Sequence, residues 1–131
     1  MALRVTLAGR VGIEVDGGEM AAGGLGRPGR LALAYLVCER HRPVPRDELA
    51  EVLWGEELPK SWDQMLRGLA FKLRGLVAAA GLDPAQALTT TAGAFRLHLP
   101  DDATVDTEEA ATAVEAAEAA LAAGYAGTAR A

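Results

Sequence analysis

Lys60, Gln64, Arg67, Phe71 and Arg74 are the residues of this chain whose types and spacing best suit chemistry, and that chemistry is recognition rather than catalysis. At about 100° per residue they share one arc of a helix predicted over residues 60–77. Trp62, Met65, Leu66, Leu69, Ala70, Leu73, Leu76 and Val77 fall on the opposite side and form its expected core face. Cations, an amide and a lone aromatic suit the major groove of DNA, where Arg and Gln pair with base edges and an apolar group meets a thymine methyl. An ordinary amphipathic helix with a solvated polar side gives the same pattern, so the neighbouring elements decide between the two.

Gln64, Arg67 and Phe71 are the expected base contacts, while Lys60, Arg74 at the edge of the stripe and Lys72 off it toward the flank are expected at phosphates. Ser61 and Gln64 also have the spacing of a capping box, in which Gln64 turns back to the backbone, and both readings stand open. An exposed aromatic such as Phe71 calls for a partner, either DNA or another protomer. Arg96, further along, either touches phosphate or a minor groove, or is an idle surface arginine.

The elements that must hold this helix are legible around it. Leu3–Leu7 and Val11–Val15 read as an antiparallel hairpin separated by Gly9–Arg10 and ended by Asp16–Gly17–Gly18. Glu19–Ala22 suits a short third strand. Pro28 opens a helix through Leu31, Leu33, Leu36, Val37 and Cys38, apolar on nearly every side and so expected at the centre of the core. Arg40–Pro45 ends it. Arg46–Trp54 reads as a short helix, with Asp47 and Glu48 at its N-terminal dipole, Leu49, Val52 and Leu53 as its face and Gly55 as its stop. This helix, the loop Gly55–Pro59 and the striped helix form a helix-turn-helix. Past Gly81–Ala87, Phe95, Leu97 and Leu99 alternate with Arg96 and His98, so residues 88–99 read as a hairpin turning near Ala92–Gly93, a wing beside the striped helix.

Composition excludes more than it assigns. Half of the 131 residues are hydrophobic, enough for a real core, and no apolar run is long enough to span a bilayer. The single cysteine, Cys38, lies in an apolar run and is expected as a reduced core residue. His41 and His98 lack partners at ligand spacing, so no metal or cofactor is expected. Of the net charge of −5, residues 100–131 contribute one Arg against seven acids, a balance of −6. Residues 1–99 hold twelve Lys/Arg against eleven Asp/Glu, a balance of +1, which is low for a DNA binder unless the fold clusters the cations.

The order of hairpin, buried helix, RPVPRDELAEVLWG (Arg42–Gly55), helix with KLR (Lys72–Arg74) and TTAGAFRL (Thr90–Leu97) resembles the Streptomyces antibiotic regulatory protein family. The resemblance covers about residues 3–100 and implies an OmpR-type winged helix. Leu99–Gly124 resembles the entry to the bacterial transcriptional activator domain that follows in that family. The resemblance also implies that the loop with Glu56 and Glu57 meets RNA polymerase. Two positions depart from the family pattern: Gly75 stands where a second basic residue is common, and Gly93–Ala94–Phe95 stands for Gly-Gly-Tyr.

The expectation is therefore an α+β fold: a winged helix-turn-helix with an N-terminal antiparallel sheet, three helices and a C-terminal hairpin wing, followed by one extra helix. Residues 1–100 would be the DNA-binding domain and 101–131 an acidic, Ala-rich helix beginning an activator domain. That helix is expected over Asp106–Ala123, stopped at Gly124, with Ala110, Val114, Ala117 and Leu121 packed back on the N-terminal sheet or, as the second choice, forming a dimer contact. The expected function is sequence-specific DNA binding by a cytoplasmic transcriptional activator. Its partners would be double-stranded DNA in tandem direct repeats, RNA polymerase and a second copy on DNA, with no membrane. No catalytic constellation is present, and GGLGRPG (Gly23–Gly29) lacks the context of a dinucleotide site. The alternative is a winged-helix protein-interaction module without DNA affinity.

Overall fold

A computed structural model of the chain describes residues 2–7, 11–16 and 25–109, together with 114, 116, 117 and 119–121. β1 (Leu3–Thr6) and β2 (Gly12–Val15) pair antiparallel, Val5 opposite Ile13, and both of these side chains are buried. β6 (Thr104–Val105) then adds to β1 in parallel, giving the order β2-β1-β6. The sheet is mixed, where an antiparallel one was expected. A two-residue strand has no alternation for a sequence reading to detect, and only the burial of Val105 marks it.

The second sheet has the order β3-β5-β4, from β3 (Val44–Pro45), β5 (Ala94–Leu97) and β4 (Leu88–Thr91). β3 lies in the stretch expected only to end a helix; its Pro45 has no N–H to donate, which suits the sheet edge it occupies. β4 and β5 form the expected hairpin. Its Thr91–Ala94 register leaves a two-residue loop, with Ala92 and Gly93 both at positive φ (51° and 75°) as a type I′ turn requires.

Among the described residues before β6, four helices pack with these sheets. α1 (Gly26–Cys38) buries Gly29, Ala32, Leu33, Leu36 and Val37, an i, i+3, i+4, i+7, i+8 stripe. It is therefore not buried all round: Leu31 is partly exposed, and Cys38 falls off the stripe and is exposed rather than a core residue. Partial desolvation, followed by the Glu108 and Glu39 carboxylates, pushes the Cys38 thiol up from its ordinary value, the opposite of nucleophile activation. α2 (Arg46–Trp54) has the expected bounds, but its buried face is Leu49 and Ala50, which leaves Val52 exposed. α3 (Trp62–Ala79) runs two residues later than expected and buries Leu66, Ala70, Leu73, Leu76 and Val77. Met65, one step of about 100° before Leu66, sits at the margin of that face and is exposed, contrary to expectation. α4 (Pro84–Ala87) is a single turn capped by Asp83, whose carboxylate accepts from the Ala85 N–H at 3.0 Å.

Beyond β6 the backbone is helical at 106–109 and at 114, 116, 117 and 119–121. Its start is anchored: Asp106 accepts the Leu7 N–H at 2.8 Å, Arg40 makes two 2.7 Å bonds to Glu108, and Arg4 lies 3.5 Å from Glu109. Val114, Ala117 and Leu121 are nevertheless exposed, so these members of the expected apolar stripe do not pack on the sheet. Ala110, the Glu19–Ala22 strand, both N-terminal turns at Gly9–Arg10 and Gly17–Gly18, and the stop at Gly124 lie outside the described residues. No described helix is long and apolar enough to cross a membrane.

Candidate nucleic-acid interface

α3 turns its apolar side onto α1 and α2 and leaves the other side open. Gln64, Gly68, Phe71 and Gly75 lie within about 60° of arc and form the middle of that open side. Phe71 is 79% exposed. A Cβ added at Gly68 or Gly75 would meet nothing within 4 Å, so packing requires neither glycine, although each costs the helix about 1 kcal/mol relative to alanine. The surface is thus low on both sides of Phe71. In the sequence Gly75 stands out only where a cation is common, and Gly68 carries no signal of its own.

The stripe's charged members are held differently from one another. Arg67 is 70% exposed and forms an ion pair with Asp63, its Nη2 2.9 Å from Oδ2. The other Asp63 oxygen takes Arg46, whose guanidinium lies 5.3 Å from the centroid of the Phe95 ring and whose backbone N–H donates to the Gly93 carbonyl. Arg74 donates to the Thr90 hydroxyl at 3.0 Å and ties α3 to β4. Lys60 stands two residues before the helix; it and Lys72 are exposed and have no ion-pair partner among the described residues. Ser61 makes no side-chain cap bond, so of the two readings left open for Gln64 the capping box does not form.

Arg96 is not brought to this face. It opposes Thr89 in the hairpin, on the side away from Thr90 and Phe95, and donates to the carbonyls of Arg40 and His41 at 3.2 and 3.3 Å. Glu56 and Glu57 are exposed in the α2–α3 loop beside the half-exposed Leu58. Trp54 and Trp62 are half-buried against the core.

Two further cations, which no sequence motif singles out, lie near this face. Arg27 and Arg30 are exposed on the first turns of α1 without an ion-pair partner among the described residues. Gly26 and Pro28 line the same 310 Å³ cleft as Lys72, Gly68 and Met65, which sets this end of α1 beside the open side of α3. The spacing in GRPGR sets both at the start of one helix, but only the tertiary contact shows its neighbour.

A second charged cluster lies at the α1–β3–α2 corner. Arg42 donates to both Glu48 oxygens and to Glu39, and the Tyr35 hydroxyl donates to Glu48. Arg42 first, then Tyr35, holds the Glu48 carboxyl below its ordinary range, and the bond to Glu48 raises the Tyr35 phenol. All of these groups are spent on one another.

No family model matches the chain. EmbR, a transcriptional regulatory protein of Mycobacterium tuberculosis, is 33% identical over 96 residues, which is 73% of this chain and 24% of that protein. EmbR of Mycobacterium bovis matches to the same extent. The chain thus spans about a quarter of the length of these relatives. The structure of M. tuberculosis EmbR in complex with a low-affinity phosphopeptide superposes with a TM-score of 0.67 at 33% identity, covering 78% of this chain and 26% of that one. In sequence and in its mixed α+β fold, the chain is homologous to part of a transcriptional regulator, EmbR.

Proposed function

We propose that residues 1–100 are a winged helix-turn-helix domain that binds duplex DNA sequence-specifically, as part of a cytoplasmic transcriptional activator. α2 and α3 are the helix-turn-helix, α3 enters the major groove, and β4–β5 is the wing against the backbone. The observation that carries this reading is the open side of α3: Phe71 is 79% exposed between two glycines that packing does not require, flanked by Gln64 and Arg67. Homology to a transcriptional regulator supports it. Gln64, Arg67 and Phe71 meet base edges, and Lys60 and Lys72 meet phosphates, joined by Arg27 and Arg30. Arg74 serves first as a strut to the wing. Arg96, bonded to the α1–β3 turn, steadies the hairpin and reaches phosphate only if those bonds yield. Glu56 and Glu57 face RNA polymerase, the helix from residue 106 begins an activator domain, and paired copies occupy tandem direct repeats. The module binds and does not catalyse.

Fluorescence anisotropy against a duplex selected from a random pool, and against random duplex of equal length, tests this. Four to six phosphate contacts give a log–log salt slope of about −4 to −5. The near-neutral balance of residues 1–99 favours the second reading, a protein-interaction module. Indifference to both duplexes at low salt would leave that reading standing.

A further inference from the structure

We infer that Asp63 is a positioning residue that presets Arg67 for base contact, an assignment that rests on the DNA-binding reading above. A carboxylate in the first turn of α3, beside a surface meant for phosphates, works against binding unless it has another task. Its two oxygens are divided between two arginines, Oδ1 taking Arg46 and Oδ2 taking Arg67. The Arg46 side chain is only 21% exposed and is held by the Asp63 carboxylate, the Asp63 carbonyl at 3.2 Å and the Phe95 ring, while its backbone N–H donates to the Gly93 carbonyl of the hairpin turn. Asp63 is therefore anchored to the hairpin and is not free to follow Arg67.

Arg67 in contrast is tethered at one end only. Its Nη2 is engaged by Asp63, while among the described residues its other guanidinium donors have no acceptor. An exposed i, i+4 ion pair ordinarily fixes little, since both side chains move. Here the acidic partner is already immobile, so the pair restricts Arg67 before any DNA arrives and lowers the ordering cost of a long side chain on binding. Contacts then run without a break from the hairpin turn through Arg46 and Asp63 to the open side of α3.

The test compares discrimination, the affinity for a selected duplex over random duplex, in the whole chain and in Asp63→Asn, Arg67→Ala and the double variant. Asp63→Asn should cut discrimination about two- to tenfold, the ordering cost of one long side chain, while binding random duplex at least as well as the wild type. In the Arg67→Ala background the same change should have no effect on discrimination. Without DNA, NMR relaxation of the Arg67 Nε–H should show a restricted side chain that becomes mobile in Asp63→Asn. If Asp63→Asn melts early for want of a partner for Arg46, Asp63→Glu keeps the charge, displaces it by one methylene and should give an intermediate loss with a normal melt. An equal loss in the Arg67→Ala background overturns the inference, because Asp63 then meets the DNA itself. Preference that survives unchanged in Asp63→Asn sinks it alone, whereas a wild type without preference for any duplex sinks the DNA reading as well.

Discussion

The open side of α3 and the corner formed by Tyr35, Arg42 and Glu48 use the same kinds of residue to opposite ends. At the corner every charged group meets a partner within the fold: Arg42 bridges Glu48 and Glu39, and Tyr35 completes the Glu48 shell. On α3 and just before it, Lys72 and Lys60 meet none among the described residues, Arg67 is held from one side, and Phe71 stands clear. The contrast shows that an arginine's presence says little about its use. Of the described cations, Arg40, Arg42, Arg46, Arg74 and Arg96 are committed to protein groups, so the surface left for a polyanion is set by the few that remain.

The comparison breaks most directly at its arginines. Arg67→Ala should cost on the order of 1–3 kcal/mol at the preferred duplex and relax preference at one base position, with the thermal midpoint unchanged. Arg42→Ala should do the reverse, lowering the midpoint while leaving discrimination intact. A shared outcome, by anisotropy and thermal melts side by side, would erase the distinction between the two regions.

Next in size are the glycines. Gly68→Ala and Gly75→Ala should each stabilise the fold by about 1 kcal/mol, or about 4 °C, because the added methyl meets nothing and the helix gains propensity. The same variants should weaken DNA binding if backbone or bases approach α3 closely there. Stability gained without any loss of affinity would place the contact elsewhere on the helix.

Ala92 offers a smaller effect at the hairpin. At φ 51° an alanine is strained where asparagine before glycine is favoured, so Ala92→Asn should raise stability by about 0.5–1 kcal/mol. Denaturant titration would show it, and a loss of stability would mean that the turn is not type I′.

The last test is of pH. Glu48 and Glu108 have carboxyls lowered by Arg42 and Arg40 respectively, so their contribution is complete above the ordinary carboxyl value of about 4.3 and is lost as pH falls through the lowered values. Glu48→Gln should therefore melt earlier than the wild type at pH 7, and the gap should close in acid below about pH 4. A gap that stays constant with pH would remove Glu48 from the ion-pair account.

Much of this was legible in residue order, for reasons that differ by element. α2 was placed to its ends because Asp47, Glu48 and Gly55 mark both termini, and α3 to within two residues because its apolar period is strong. β3 and β6 were not, since two residues carry no period. Val52, Met65 and Cys38 are apolar and so read as inward, yet Cys38 lies about 100° or more from every buried residue of its helix, and Val52 and Met65 sit at the margins of theirs, where the neighbouring elements leave them uncovered. For the candidate interface, the exposure of Gln64, Arg67 and Phe71 followed from spacing on one helix. The pairing of Asp63 with Arg46, seventeen positions away, did not, because nothing local encodes it.

β6 carries a consequence for how the molecule comes into being. β1 leaves the ribosome well before β6, so its neighbour on one side, and the Asp106 carboxylate that takes the Leu7 N–H, arrive about a hundred residues later. Until then the N-terminal sheet is a lone hairpin, which is marginal in water, with an open edge exposed to other nascent chains. Completion of the sheet is thus a late, high-contact-order event in synthesis. A stall or cleavage before Thr104 would release a chain whose α2 and α3 are present but whose first strands remain unpaired on one side.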